Sequence, residues 1–331
     1  MTKSDGRPPL ADGAKPAGED GRRRAGTRAG LLAALVAAVL ATAAWPGAAA
    51  AAPSPSPGGD RPLRVGVTLH PYDSWTRNVV RGTDVEVVPV LPGEVDAGDY
   101  QPRPQDIEKI AGLDAIVVNG LGHDDFVDGM IRASGNERLR VIRPNEATPV
   151  LPGAHGEKAN SHAFLSFSNA IAQSRAIAEA LGEMRPALAS RFRENATTYA
   201  KRLRTIRNAA VARLADARVH RVVTVHDGYA YLMQELGVEV AGVVQPAHGL
   251  QPSAKELGEM VDLLNREKVP VVFAEETFPE AMLVVLRDEG HARVYVIGHV
   301  ASGEYSAEKF ERDMQANVDA IAKALVDDPP R

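Results

Sequence analysis

His162, His226 and His299 each stand where an apolar run gives way to a turn, each more than fifty residues from the next. Imidazole is the commonest protein ligand for a transition metal. Strand ends that converge from two halves of an α/β protein are where such folds bind ligands. One such histidine alone reads equally well as a helix cap or a core residue. Three in one chain favour a shared site. His226 directly follows the strand-like VTV of VTVHDGYAYL, His162 lies in NSHAFLSFSNA ahead of a long helical stretch, and His299 ends an apolar run in VYVIGHVASGEY. The chain has no cysteine, which excludes a disulfide, a thiolate-ligated zinc and a thiol nucleophile, and leaves metal chemistry to imidazole and carboxylate.

The elements that must position these rings follow from hydrophobic periodicity. Val-rich runs at 63–69, 85–91, 115–118 and 139–142 read as strands, with helices from Ser74 and over Pro104–Ala111 between them. A second set of strands falls at 222–225, 238–243, 269–273 and 293–297. Helices are expected there at 229–236, 253–267, 279–289 and about 307–325. Ser253 with Glu256 three residues on has the pattern of a capping box. Strand and helix alternating in this way imply parallel sheets covered by helices. Between the two sets, residues 169–217 carry no strand signal. Phe192, Tyr199, Leu203, Ile206, Ala210 and Leu214 form one face of a long helix starting at Pro186, where proline suits the first turn. The fold expected is α/β: an N-terminal lobe over 62–168, a helical region with the interlobe helix over 169–217 and a C-terminal lobe over 218–331, each lobe with a mostly parallel sheet.

At 331 residues, 44% hydrophobic and with a formal net charge of -5, the chain has the composition of a soluble globular protein and lacks the basic surface that nucleic-acid binding requires. Its N-terminus reads as a targeting segment, cleaved or kept as an anchor. A polar stretch ending in Arg22, Arg23, Arg24 and Arg28 precedes a charge-free apolar run from Leu31 to about Trp45. That run is short beside the roughly 20 residues of a membrane span. Residues 1–52 therefore read as a signal peptide with a polar extension, cleaved near Ala50 to Ala52, and 53–61 as a Pro/Ser/Gly linker. An exported protein is expected, periplasmic or on the outer face of the membrane, and without cysteine it is not a lipoprotein.

The segments VDAGDYQPRPQD, NGLGHDDF, NSHAFLSFSNA, HDGYAYL, QPSAKEL and VVFAEETF, in this order, resemble the periplasmic zinc/manganese-binding proteins of ABC importers, the cluster A-I substrate-binding family. The resemblance covers residues 62–327. It implies two α/β lobes joined by one rigid backbone helix and one metal ion in the cleft. Matched residue by residue, it makes His162 the second ligand and His226 the third. The fourth position, a carboxylate in the family, falls on the loop where His299 is the natural substitute. The first ligand departs: where the family has Asp-Pro-His, this chain has Asp96-Ala97-Gly98, and glycine has no donor. His123 and His70, each at a first-lobe strand end, are placed to compensate, and Asp96 and Asp99 flank the gap. Glu275, after VVFA, is expected to orient an imidazole N–H.

The resulting expectation is a non-enzymatic, monomeric solute-binding protein. It would take a divalent metal and deliver it to an ABC permease and its ATPase. A nitrogen-rich donor set favours zinc over manganese. The stretch 147–159 has only His155 and so offers no metal-collecting loop. Two other readings remain open. One is a relative that has lost metal binding and acts as an adhesin or accessory factor. The other is a secreted zinc hydrolase with Glu275 as base, against which stands the absence of an H-E-x-x-H helix.

Overall fold

The computed structural model describes residues 61–153, 159–245 and 250–327. The expected signal peptide, nearly all of the linker and His155 lie outside these residues. Among the described residues, no helix is long and apolar enough to cross a membrane.

The N-terminal half runs β1 (Arg64–Val67), α1 (His70–Val79), β2 (Glu86–Pro89), α2 (Pro104–Ala111), β3 (Ala115–Val117), α3 (Phe126–Ala133) and β4 (Arg140–Ile142). All its strand pairs are parallel, in the order β2-β1-β3-β4. Then come α4 (Phe167–Met184) and α5 (Ala189–Leu214). The C-terminal half follows with β5 (Arg221–Thr224), α6 (Ala230–Glu235), β6 (Glu239–Val243), α7 (Ala254–Glu267), β7 (Val271–Ala274), α8 (Glu280–Asp288), β8 (Arg293–Val296) and α9 (Lys309–Ala322). Its sheet repeats the parallel topology as β6-β5-β7-β8. The central strands are buried to the last residue, β3 and β7 entirely, as a sheet covered by crossover helices on both faces must be.

The expected α/β architecture is therefore present, with local differences. Helix α1 begins at His70, four residues before Ser74, because Pro71 sits in its first turn, where the missing N–H costs nothing. Helix α3, whose span carries Gly129, has no counterpart among the expected elements. The helical region is split at Arg185, with Pro186 opening a short 3-10 turn that leads into α5. At 26 residues α5 is about 39 Å long. Phe192, Tyr199, Leu203, Ala210 and Leu214 are buried along it, and Ile206 is partly so. Ser253 accepts from the Glu256 N–H and Glu256 caps in return, as the pattern implied.

One apolar core runs from the first sheet through α1, α4, α5 and α9 to the inner face of the second sheet, and includes Val222, Tyr229, Phe273 and Phe310. A separate cluster under α7 and α8 covers the outer face of that sheet. Burial at about 25 cal/mol per Å² of apolar surface thus ties both halves into one body. The carboxyl ends of β1, β2, β3, β5, β7 and β8 are continued by segments carrying His70, Asp96, His123, His226, Glu275 and His299, respectively.

A candidate metal centre at the strand ends

Each candidate ring is held by its local chain. His226 follows β5 in extended conformation and caps the turn that opens α6, its Nδ1 accepting the Gly228 N–H at 2.8 Å. His162 lies on the segment before α4, and both halves grip that segment. Asn119 Nδ2 donates to the Ser161 carbonyl at 2.9 Å from one side. The Tyr231 hydroxyl donates to the Asn160 carbonyl at 2.8 Å from the other. The His162 Nδ1–H donates to Asn160 Oδ1 at 3.0 Å, and Asn160 Nδ2 donates to the Asp227 carbonyl at 3.0 Å. His299 follows β8, and its Nδ1–H donates to Asp96 Oδ2 at 2.7 Å.

These three rings converge. His162, His226 and His299 each offer a donor atom, and the three atoms lie within 4.8 Å of one another. Ring centroids are 4.6 Å apart for His162 and His226, and 4.9 Å for each of these with His299. With Nδ1–H donating to an oxygen in His162 and His299, Nε2 is the nitrogen of each ring that would ligate a metal. An oxygen holding the far N–H of a ligating imidazole fixes its tautomer and raises its basicity. A further carboxylate stands close by: Asp227 Oδ1 is 3.8 Å from His162 Nδ1 and 3.7 Å from His226 Nδ1.

Asp96 is the residue that the missing first-lobe histidine leaves in place. One oxygen takes the His299 N–H. The other accepts His123 Nε2–H at 2.9 Å and the Gly98 N–H at 2.9 Å. Burial opposes its ionisation, but the His299 and His123 rings hold the carboxyl well below its ordinary range. For His299, burial works against the charged ring, and the Asp96 carboxylate outweighs it, so the pKa is raised.

The other sequence candidates divide. His123 is buried against the group, its ring 4.9 Å from that of His162, with Nε2 given to Asp96. His70 is not brought to the group. Its Nε2 bonds the Gly303 carbonyl at 2.9 Å and its ring stacks on Tyr305 at 4.0 Å. Burial pushes its pKa down. Glu275 reaches the same cavity, but its hydrogen bond is with the Tyr229 hydroxyl at 3.1 Å and not with an imidazole. The expected orienting role falls instead to Asp96 and Asn160. Asp99 lies in the 3-10 turn Ala97–Asp99. A cavity of about 650 Å³ opens on the site, its lining including Glu94, Asp96, His226, Glu275, Glu276 and His299.

Sequence reasoning missed Asn160, Asp227 and Gly228 as working residues, although each lies in a segment that carries the resemblance. Gly228 has a spatial reason to be glycine. A Cβ there would stand 2.7 Å from His226 Nδ1 and 2.9 Å from His162 Cγ.

Comparison with known proteins agrees with this geometry. The family model for the periplasmic component A of the zinc-uptake complex matches residues 65–324. A putative metal-binding protein of Treponema pallidum is 26% identical over 79% of this chain and 87% of its own. The zinc-binding lipoprotein AdcA of Streptococcus pneumoniae is 22% identical over 82% of this chain, which spans only 57% of AdcA. Among solved structures, the substrate-binding protein FpvC of Pseudomonas aeruginosa in complex with Mn2+ is 41% identical, with a TM-score of 0.77 over 81% of this chain and 100% of that one. FpvC has also been solved with Ni2+. The chain belongs to the zinc-uptake complex component A family, the metal-binding periplasmic substrate-binding proteins of ABC importers.

Proposed function

We propose that this protein captures a divalent transition metal, zinc first, through His162, His226 and His299, and delivers it to an ABC permease driven by its ATPase. The observation that carries the reading is the convergence of three imidazole donor atoms within 4.8 Å, with Asp96 and Asn160 holding the outer nitrogens of two of them. Three neutral nitrogens suit zinc, which binds histidine at about 2.0–2.1 Å in tetrahedral geometry. Asp96 is the first-lobe group placed to act with them, either as the oxygen behind His299 or, turned inward, as a fourth donor. Ligation by the neutral His226 ring through either nitrogen costs it the bond from Gly228, because Nδ1 then carries either the metal or the ring proton.

Manganese is the second reading, favoured by the Mn2+ complex of FpvC and by the carboxylates near the rings, since manganese prefers oxygen. Titration of the metal-stripped protein with zinc, manganese and nickel, by calorimetry with a competing chelator, separates the two. Zinc binding at one ion per chain, lost in His226→Ala, is the expected result. Wild-type zinc affinity in that variant would sink the assignment, and tighter manganese than zinc would reverse the order of metals.

A further inference from the structure

On the C-terminal side of His299 the chain leaves its own lobe. Val300, buried and β-branched, has φ of +62°, a conformation such residues adopt only under constraint. The constraint is visible in the next residues, which are fastened to the first lobe. The Gly303 N–H donates to the Gly93 carbonyl at 2.7 Å, and the Gly303 carbonyl accepts from His70 Nε2. Gly93 and Gly303 approach so closely that a Cβ on Gly93 would lie 2.5 Å from the Gly303 oxygen. Tyr305 lies flat on the His70 imidazole, 5° from parallel, and its hydroxyl donates to the Leu91 carbonyl at 3.2 Å. His70 opens α1 and is only 2% exposed.

We propose that His70, with Gly93 and Tyr305, forms a clasp that positions His299 for metal binding, so that His70 acts on the metal through His299 and not as a ligand. The inference rests on the metal-binding reading above. The backbone turn at Val300 aims the imidazole, and the clasp fastens the far side of that turn. Released from the first lobe, the segment relaxes out of the left-handed conformation and carries the ring away from His162 and His226. The geometry also couples the two halves. Separating α1 from the segment 300–305 withdraws a ligand, a route by which a change at the first lobe lowers affinity.

The test is a double-mutant cycle. His70→Ala and, independently, Gly93→Ala are each measured in the wild-type and His299→Ala backgrounds, reading zinc affinity by chelator competition and the visible spectrum of the cobalt-substituted protein. In the wild-type background each is expected to weaken zinc at least tenfold and to reduce the intense bands of four-coordinate cobalt. In the His299→Ala background each is expected to change neither, because the interaction it supports is already gone. Equal losses in both backgrounds would mean a general structural role and overturn the proposal, as would wild-type affinity and spectrum in folded single variants. His70→Phe keeps the stack on Tyr305 and loses only the bond to Gly303. It decides the question if the other two do not fold. A wild-type protein that binds no metal would instead refute the functional reading, and is seen before any variant is made.

Discussion

Gly228→Ala tests the site without removing a single donor. The added Cβ would meet His226 Nδ1 at 2.7 Å and His162 at 2.9 Å on Cγ and 3.0 Å on Cδ2. It would thus wedge between two of the three rings. Restoring an ordinary 3.4 Å contact requires displacements of about 0.4 to 0.7 Å, about two to three and a half times the roughly 0.2 Å that metal–ligand distances tolerate. Gly228 is not among the glycines of positive φ, so alanine can adopt its backbone. The lower entropy of the unfolded alanine chain offsets part of the crowding, by about 0.4–1 kcal/mol. The metal-free variant is therefore expected to melt near the wild type, whereas zinc affinity falls about 100-fold, or roughly 2.7 kcal/mol. Competition against a chelator of known affinity, alongside thermal melts of the stripped protein, reads both. An affinity within about threefold of wild type would show that the rings can part at no cost to the metal, and the wedge argument would be wrong.

Asp96→Asn replaces an acceptor of the His299 N–H by an amide of nearly the same shape. Zinc affinity is expected to drop 10- to 100-fold, the usual cost of losing an oxygen behind a ligating histidine, and unchanged affinity would deny Asp96 that role. A second expectation concerns pH. His299 has its pKa raised from 6.5, so its pairing with Asp96 adds stability that is complete below pH 6.5 and is lost as pH rises through the folded value. Asp96 is held well below 3.8, so its share is complete above pH 3.8 and is lost as pH falls through its folded value. The metal-free protein should gain most from this pair between those two ordinary values. Zinc, which displaces the His299 proton, should add increasing thermal stability from pH 6 to 8, and a zinc-induced melting shift that shrinks over that range would contradict the assignment. Finally, His299→Asp alone should lose zinc, and the double variant Gly98→His with His299→Asp should regain at least tenfold of it. A double variant no better than the single one would show that the two positions do not exchange roles.

Much of this was legible because it is local. Valine runs bounded by turns gave eight strand positions within a few residues, and Ser253 with Glu256 announced its capping box. The histidines could be placed at strand ends by the same reasoning, since a parallel strand delivers its last residue to one edge of the sheet. What escaped is what depends on distance in sequence. Asp96 and His299 are 203 residues apart, and no periodicity relates them. His70 reads as a candidate ligand because it ends the first strand; in the fold it opens α1, where its ring meets Gly303 and Tyr305. Gly228 reads as an ordinary turn glycine until two imidazoles, one from each side of the interlobe segment, are seen to close on it.

The departure at Gly98 now has a physical account. The family arrangement implied by the resemblance draws a histidine from the first lobe and a carboxylate from the loop after the last strand. Here the first lobe presents Asp96 and that last loop presents His299, joined by a 2.7 Å hydrogen bond. If His299 ligates as proposed, the residue types are kept while the lobes that supply them change places. Such an exchange preserves the charge near the ion, which sets how strongly a dication is held in a site of low dielectric. It alters how the site is assembled. A first-lobe histidine would bring its own ring to the metal, whereas Asp96 acts on a ring that belongs to the other half. On the proposed reading, affinity is tied to contact between the halves twice over, once through Asp96 and once through the segment that follows His299.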